Sequence, residues 1–256
     1  FFSSRRRHTR YISVTGVQTC ALPISRADLA DARLTPSQAG QTTRVIARED
    51  GGTALLEGRA LRHAWDDTTV LDGVDVLLPP GRIVAVVGPN GSGKSTLLGG
   101  LAGRLRLDAG EVRRRGAPSP VASRRHARAV HALLGDTAWL PGLTVLDHLM
   151  LLSAVGGPEA RAACLEALAR VGGDRLADRL PASLSSGQRQ RAVLSTAWVR
   201  PWEVLLLDEP ERHLDPESAR MLPRWLRALA GTDRAILVAT HAEEVRAVAD
   251  SVLHLR

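Results

Sequence analysis

Residues 88–96 read Gly88-Pro89-Asn90-Gly91-Ser92-Gly93-Lys94-Ser95-Thr96 and match the pattern G-x-x-x-x-G-K-[ST] of a phosphate-binding loop. In such a loop the glycines allow successive backbone N–H groups to turn inward around phosphate oxygens. The helix that follows adds the positive end of its dipole. Lys94 can reach the β- and γ-phosphates of a nucleotide, and the Ser95 hydroxyl can bind Mg²⁺. We therefore expect this loop to bind a nucleotide and Lys94 to act in catalysis.

The residues that flank the loop have the character that this pattern requires. Residues 83–87 are apolar and mostly β-branched, which predicts a buried strand, and residues 95–101 are predicted to form a helix. Lys94 is the only lysine of the chain. An arginine guanidinium is planar and forked, so it does not replace the point charge of an ammonium group on phosphate. A chance glycine-rich turn is the alternative, but it does not account for the order of strand, loop and helix.

Length and composition limit the class of protein. The 256 residues are 44% hydrophobic and 3% aromatic, so they can form one large domain or two small ones around a core of Leu, Val and Ala. No apolar run approaches the roughly 18 residues of a membrane span, so any membrane crossing must come from another chain. Outside residues 1–25 the only cysteine is Cys164, which excludes a disulfide within that part of the chain and suits a reducing cytoplasm.

The N-terminal residues differ from the rest. Residues 1–25 resemble a translated sequencing-adapter artefact and are predicted to be artefactual or disordered; a basic targeting or nucleic-acid-binding arm is the alternative. They carry four arginines and no acid, so the net charge of +7 falls to +3 without them. Residues 26–51 are polar and are predicted to be a linker or disordered. The folded domain is expected at 52–256, and the abrupt stop at Arg256 suggests a truncation or a domain without a regulatory tail.

Apolar runs predict the other elements. Strands are predicted at 54–62, 70–78, 110–114, 129–134, 204–207, 235–240 and 252–255. Helices are predicted at 146–155, 158–171, 189–200, 217–229 and 242–250. Leu165, Leu168 and Val171 are expected to share one helical face. An α-rich block therefore separates two strands of the predicted sheet.

Three candidate catalytic groups follow predicted parallel strands. The loop at 88–96 follows one strand, Asp208 and Glu209 follow a second, and His241 follows a third. Ligands of open α/β sheets bind beyond the carboxyl ends of the strands, so these groups can converge on one nucleotide. Asp208 is predicted to bind Mg²⁺, and Glu209 to orient or deprotonate the water that attacks the γ-phosphate. The alternative for this pair is a surface Asp-Glu turn.

Two further residues have two interpretations each. His241 can donate a hydrogen bond to the γ-phosphate, or it can cap a helix or pack in the core. Trp65, expected between the first two strands, can stack on an adenine ring or be an ordinary half-buried tryptophan.

The order of these motifs resembles that of the ATP-binding cassette (ABC) family of ATPases. The phosphate-binding loop alone is shared by many nucleotide-binding proteins, and the stretch Leu184-Ser185-Ser186-Gly187-Gln188 before the acidic strand is what narrows the resemblance. The resemblance covers residues 52–256, about four-fifths of the chain. It implies an α/β fold of the P-loop NTPase type, with a mostly parallel sheet flanked by helices. It also implies an N-terminal antiparallel β subdomain and an inserted α-helical subdomain at about 139–200.

The same resemblance implies a mode of action with ATP and Mg²⁺. Two cassettes, as a homodimer or with a paired ABC subunit, would pair head to tail. Residues 185–188 of one would then close over ATP held by the loop of the other, and Asp215 would belong to the inter-subunit loop. The helical subdomain would meet a transmembrane permease subunit, which places the protein at the cytoplasmic face of the membrane.

The sequence departs from the family pattern at two places. Ser186 stands where the family usually has Gly, a small-for-small change that we expect to be tolerated. The family usually has a Gln near position 135 that touches Mg²⁺ and couples the site to the membrane subunits, whereas this chain has Gly135-Asp136. Two interpretations are open here: either Asp136 replaces this Gln as a metal ligand, or coupling to the membrane subunits differs from that of the family.

Two other functions compete with a transporter ATPase subunit. A cassette protein acting on ribosomes or DNA would use the basic cluster at 113–128, but the cluster has no interleaved aromatic residues, so we predict a solvated face and no direct nucleic-acid partner. A weakly hydrolysing nucleotide-binding regulator is suggested by the missing Gln. The basic cluster at 113–128, on which the ribosome or DNA alternative depends, consists of Arg113, Arg114, Arg115, Arg124, Arg125 and Arg128.

Overall fold

The computed structural model describes residues 53–135, 138–153 and 156–256. The expectations for residues 1–25, for residues 26–51 and for Asp136 as a metal ligand lie outside these ranges. The described strands are β1 (Leu56–Trp65), β2 (Thr68–Leu78), β3 (Ile83–Val87), β4 (Ala109–Arg114), β5 (Ala117–Pro118), β6 (Val130–Leu133), β7 (Val204–Asp208), β8 (Ala235–Ala239) and β9 (Ser251–His254). The described α-helices are α1 (Lys94–Leu101), α2 (Arg124–Ala129), α3 (Val145–Leu152), α4 (Gly157–Arg170), α5 (Ser186–Val199), α6 (Pro216–Ala230) and α7 (Glu243–Ala247).

Five strands form a parallel sheet in the order β6-β7-β8-β3-β9. In its centre Ala85 of β3 lies opposite Val238 of β8 on one side and Val252 of β9 on the other. The strands β3, β7 and β8 are apolar and almost completely buried, as expected for parallel strands that are covered on both faces. Because β7 pairs with β8 and β8 with β3, the carboxyl ends of these three strands lie side by side.

A second, antiparallel sheet has the order β2-β1-β4-β5. Its longest pairing runs from Leu56 opposite Leu78 to Trp65 opposite Thr68, so Trp65 is the last residue of β1 and does not lie between the strands as expected. The inward side chains of this sheet join one apolar cluster with residues of β3, β6, β7, β8 and α1. The predicted fold class, a parallel sheet with an N-terminal antiparallel part, is confirmed.

Helices α3, α4 and α5 lie between β6 and β7 in the chain and have a core of their own. This arrangement confirms the inserted helical part of the predicted fold class. The core includes Val145, Leu149, Cys164, Leu168, Leu184 and Ala192.

The helical face expected from Leu165, Leu168 and Val171 is buried only in part. Leu165 is 38% exposed, whereas Leu168 and Val171 are buried. With 3.6 residues per turn, Leu165 lies about 100° around the axis from the buried Cys164, which puts it at the edge of the apolar face.

Helix α5 starts earlier than predicted for a local reason, whereas helix α6 agrees with its predicted range to within one residue. Helix α5 begins at Ser186, three residues before the predicted start at 189, because Ser185 already caps it. Helix α6 continues through Pro223 and buries Leu222, Trp225 and Leu226. Within the described ranges, no helix combines the length and apolar character needed to cross a membrane.

Candidate active site

The phosphate-binding loop connects β3 to α1 and depends on glycine at two places. A Cβ atom at Gly88 would lie 2.5 Å from the Leu255 carbonyl oxygen and 2.5 Å from Ser92 Oγ. Gly93 has a φ of +89°, and a Cβ there would lie 2.7 Å from Val70 Cγ1. Larger residues would therefore push the loop away from the strands that position it.

Lys94 is buried at the first position of α1. Its Nζ atom donates to the Gly88 carbonyl at 2.8 Å and to the Pro89 carbonyl at 3.0 Å. A buried ammonium group is costly unless it is paired, and here the loop's own carbonyls serve that purpose. Ser92 Oγ is also buried and has no hydrogen-bond partner among the described residues. The loop thus holds a positive charge and an unused polar atom, both suited to an anionic ligand.

The acidic pair lies at the end of β7, on the same edge of the sheet as the loop. Ser95, Asp208 and Glu209 line one cavity of about 250 Å³. Glu209 has a φ of +47°, and its backbone N–H donates to the Ala239 carbonyl of β8 at 2.9 Å. This left-handed conformation is uncommon for a residue other than glycine and is typical of functional sites.

The donor set of this cavity fits Mg²⁺. The Ser95 hydroxyl and the Asp208 carboxylate are hard oxygen ligands, and Mg²⁺ in nucleotide sites is held by one or two such groups together with phosphates. Within the described part of the chain, no group of three or more His, Cys, Asp or Glu residues could hold a metal alone. The cavity is therefore suited to a metal that arrives with a nucleotide.

His241 follows β8 beside the acidic pair. Its Nε2 atom lies 3.5 Å from Glu209 Oε1, and its side chain is 48% exposed. The cap residue of α7 is Ala242, so His241 neither caps that helix nor packs in the core. The alternative interpretations of His241 are therefore not supported by its position.

Sequence reasoning missed Glu211, which holds the segment containing His241. Its Oε1 atom accepts hydrogen bonds from Thr240 Oγ1 at 2.6 Å, from the His241 N–H at 2.9 Å and from the Ala242 N–H at 3.3 Å. These partners are 29 to 31 residues away in the chain, so no local pattern could have indicated them.

The stretch at 185–188 lies next to this cavity but does not line it. Ser185 Oγ accepts the Gln188 N–H at 3.3 Å, and Gln188 Oε1 accepts the Ser185 N–H at 3.1 Å, which together form a capping box at the start of α5. Ser185 and Ser186 are exposed, and none of residues 185–188 lines the cavity that contains Asp208. A Cβ at Gly187 would lie 2.7 Å from the His213 carbonyl oxygen.

Trp65 is 55% exposed at the end of β1 and makes an edge contact with His63, with ring centroids 4.9 Å apart. It does not line the cavity of the acidic pair. More than half of the Trp65 surface is therefore exposed to solvent.

A separate groove lies next to the site, between β6 and the inserted helices. Its cavity of about 490 Å³ has Leu151 and Leu152 on the rim and Arg104 and Arg200 among its lining residues. Leu133 lines both this groove and the cavity of the acidic pair. The apolar rim residues are well exposed, Leu151 at 64%.

His131 at the base of this groove is buried and neutral. Its Nδ1 atom lies 3.0 Å from Arg200 Nη1, and its Nε2 atom lies 3.0 Å from Thr196 Oγ1. Burial, together with the positive charges of Arg200 and Arg104, lowers the pKa of His131 to about 3.

Arginines of the basic cluster differ in their partners. Arg114 and Arg115 donate to the Glu203 carboxylate at 3.0 to 3.1 Å, and Arg113 pairs with Glu111 at 3.2 Å. The remaining three, Arg124, Arg125 and Arg128, are exposed.

Known proteins resemble this chain in sequence. A model of a family described as ABC transporter matches residues 71–212. A lipoprotein-releasing system ATP-binding protein, LolD, from Porphyromonas gingivalis is 32% identical over 79% of this chain and 96% of its own length. An aliphatic sulfonates import ATP-binding protein, SsuB 1, from Nocardia farcinica is 39% identical over 76% of this chain and 75% of its own length.

Solved structures resemble it in fold. One is cbiO1 of Clostridium perfringens, described as part of the ABC transporter complex cbiONQ, with 27% identity and a TM-score of 0.66 over 80% of this chain and 85% of that chain. Another is a dimeric ATP-binding cassette bound to ADP and Pi, with a TM-score of 0.70 over 78% of this chain and 94% of that chain. At 23% identity, this similarity indicates the fold alone.

Proposed function

The chain belongs to the ABC transporter family and is an ATP-binding subunit that hydrolyses ATP. From this premise, we propose that its catalytic centre is the cavity between α1 and the end of β7. The observation that carries the proposal is the presence of Ser95, Asp208 and Glu209 around one cavity. A loop for phosphate, two oxygen ligands for a metal and a carboxylate for water are the parts that γ-phosphate hydrolysis requires.

Each residue has a distinct role in this proposal. Backbone N–H groups of the loop residues after Pro89 and the Lys94 ammonium bind the phosphates, so Lys94 exchanges its loop carbonyls for phosphate oxygens. Ser95 and Asp208 would hold Mg²⁺, which when bound neutralises charge on the β- and γ-phosphates. Glu209 accepts the proton of the attacking water, and His241 donates a hydrogen bond to a γ-phosphate oxygen. Trp65 stacks on the adenine ring.

Two copies of the chain act together in this proposal. Residues 185–188 are exposed or half-exposed, and they do not line the cavity of their own chain. The Ser185 hydroxyl, backbone N–H groups and the N-terminus of α5 form an anion-binding surface. We place this surface over the γ-phosphate of ATP in a second copy, so that ATP joins the two copies and hydrolysis releases them.

The third part concerns the membrane-spanning partner. We place a cytoplasmic helix or loop of a permease subunit in the groove rimmed by Leu140, Leu151 and Leu152, which puts the chain at the cytoplasmic face of the membrane. Exposed leucines in a concave surface favour an apolar partner, and Leu133 connects this groove to the catalytic cavity. A reading frame beside the gene with about six apolar segments of about 20 residues would support this part; its absence from the operon would weigh against it.

Steady-state ATP hydrolysis tests the catalytic centre. Glu209→Gln removes the proton acceptor with little change of shape, so we expect hydrolysis to fall by roughly 100-fold or more while ATP still binds. Asp208→Asn should raise the Mg²⁺ concentration needed for half-maximal rate, and chelation of Mg²⁺ should stop turnover. Glu217→Gln, a change at an exposed carboxylate in the first turn of α6, is the control and should hydrolyse normally. Normal turnover by Glu209→Gln would show that the assigned role of Glu209 is wrong.

A further inference from the structure

Glu211 has none of the catalytic roles assigned above, yet its side chain accepts several hydrogen bonds beside the site. One of its oxygen atoms, Oε1, accepts hydrogen bonds from three successive residues, Thr240, His241 and Ala242. The contact with Thr240 Oγ1, at 2.6 Å, is short, as charge-assisted hydrogen bonds are. A single carboxylate oxygen therefore fixes the turn that carries His241.

Few other hydrogen bonds hold the His241 turn, which consists of residues 240–242. Helix α7, which begins just after it, has no side-chain cap. The Thr240 N–H donates to Val86 of β3 at 3.2 Å, and the Ala242 N–H also reaches Thr240 Oγ1 at 3.0 Å. For His241 itself, the polar contacts in the described structure are Glu211 through its backbone and Glu209 through its ring. The hydrogen bond to Glu211 is thus the one that the described structure gives to the His241 backbone N–H.

Glu211 belongs to the same turn as Glu209, and that turn is anchored on two sides. The Glu209 N–H donates to the Ala239 carbonyl at 2.9 Å, and Gln190 Nε2 of helix α5 donates to the Pro210 carbonyl at 3.0 Å. A carboxylate on this fixed turn can hold the His241 backbone at a set distance from the Glu209 carboxylate.

We infer that Glu211 is a positioning residue for ATP hydrolysis, which keeps the His241 ring beside Glu209 and within reach of the γ-phosphate. Glu211 acts through the backbone of residues 240–242 and does not touch the nucleotide. The inference rests on the proposed role of His241. All three hydrogen bonds are accepted by Oε1. The other carboxylate oxygen, Oε2, is buried and has no hydrogen-bond partner among the described residues. An amide oxygen at the same place can therefore do the same work.

Three variants test this role. Glu211→Ala removes the acceptor, so kcat should fall by roughly 10- to 100-fold, because small displacements of a catalytic group are costly. The Kd of Mg·ATP should stay within about twofold, since the loop at 88–96 is not disturbed. Glu211→Gln retains an acceptor and should keep at least half of the wild-type kcat. Glu244→Ala, which removes an exposed carboxylate from the first turn of α7, is the control and should match wild type.

A double-mutant cycle separates positioning from a general structural effect. If Glu211 acts through His241, Glu211→Ala should cause no further loss of kcat in a His241→Ala background. A further loss of similar size in that background, or a Glu211→Gln variant as weak as Glu211→Ala, would overturn the inference. If His241→Ala itself hydrolysed ATP at the normal rate, the proposed role of His241 would fail first. A loss with His241→Ala but not with Glu211→Ala would reject the inference alone.

Discussion

At the scale of single residues, Gly88 shows how tightly the phosphate-binding loop is fitted. A Cβ atom there would lie 2.5 Å from the Leu255 carbonyl oxygen, a backbone atom, and 2.5 Å from Ser92 Oγ, so the backbone would have to shift. We expect Gly88→Ala to weaken ATP binding by roughly tenfold or more, because about 1.4 kcal/mol of strain in the binding-competent loop already gives that factor.

A second glycine provides the control for this prediction. A Cβ at Gly99, inside α1, would meet only Leu105 Cβ at 3.5 Å, an ordinary contact. Gly99→Ala should bind ATP normally and should stabilise the protein by about 0.5 to 1 kcal/mol, since alanine favours helix over glycine. Isothermal titration calorimetry with a non-hydrolysable ATP analogue measures the first effect and urea unfolding the second. Unchanged binding in Gly88→Ala would contradict the fit described here.

His131 makes the stability of the protein depend on pH. Its pKa is about 3 in the folded chain, below the usual 6.5, because of burial and the nearby Arg200 and Arg104. The unfolded chain binds a proton below pH 6.5 that the folded chain does not. The contribution of neutral His131 is thus complete above pH 6.5 and is lost as the pH falls towards 3.

The expected pH dependence is that of one proton taken up on unfolding. Between pH 6 and pH 4, the free energy of unfolding should fall more steeply in wild type than in His131→Gln, by about 1.4 kcal/mol per pH unit. Urea unfolding at a series of pH values provides the measurement. Identical slopes for wild type and His131→Gln would show that His131 is not held neutral.

Motif residues could be predicted at this scale, but contacts between distant residues could not. Lys94, Asp208 and His241 stand next to apolar strands, so the sequence alone indicated that they meet at one edge of the sheet. Glu211 and His131 have partners that are 29 and more residues away. Their importance follows from tertiary packing, for which a single sequence contains no signal.

At the scale of elements, apolar strands were easy to predict and helix ends were not. The runs that form β3, β7 and β8 are long, β-branched or leucine-rich and bounded by polar residues, so their ranges agree with the structure to within one residue. The start of α5 was placed three residues late because its first turn, Ser186 to Gln188, is polar. The reciprocal hydrogen bonds of the capping box form this turn, and apolar periodicity does not detect them.

The capping box at the start of α5 is predicted to stabilise the fold by an ordinary amount. Ser185→Ala should lower the free energy of unfolding by about 1 kcal/mol. Adding Gln188→Ala should cost less than the sum of the single changes, because the two hydrogen bonds are reciprocal. Ser186→Ala, one residue further along, is the control and should change stability by no more than about 0.5 kcal/mol. A Ser185→Ala protein that unfolds at the wild-type urea concentration would contradict the capping role.

At the scale of the whole molecule, the sequence indicated the fold class but not the strand order. The placement of β3 between β8 and β9 pairs residues that are 153 and 167 positions apart in the chain, as in Ile83 with Ile236 and Val84 with Ser251. This order brings the loop, the acidic pair and His241 to one edge. The resemblance to ABC ATPases anticipated the family, which the relatives confirm. The groove beside the inserted helices was not anticipated, because its leucines come from β6, from α3 and from the segment between them.

The central claim is that ATP is held between the loop at 88–96 of one copy and residues 185–188 of another. Sedimentation velocity of Glu209→Gln with and without Mg·ATP tests it most directly, since we expect this variant to bind ATP without cleaving it. We predict a monomer without nucleotide, a dimer with Mg·ATP, and a monomer in both conditions when Lys94→Ala is added. A Glu209→Gln protein that binds Mg·ATP and yet remains monomeric at saturating nucleotide would contradict the claim.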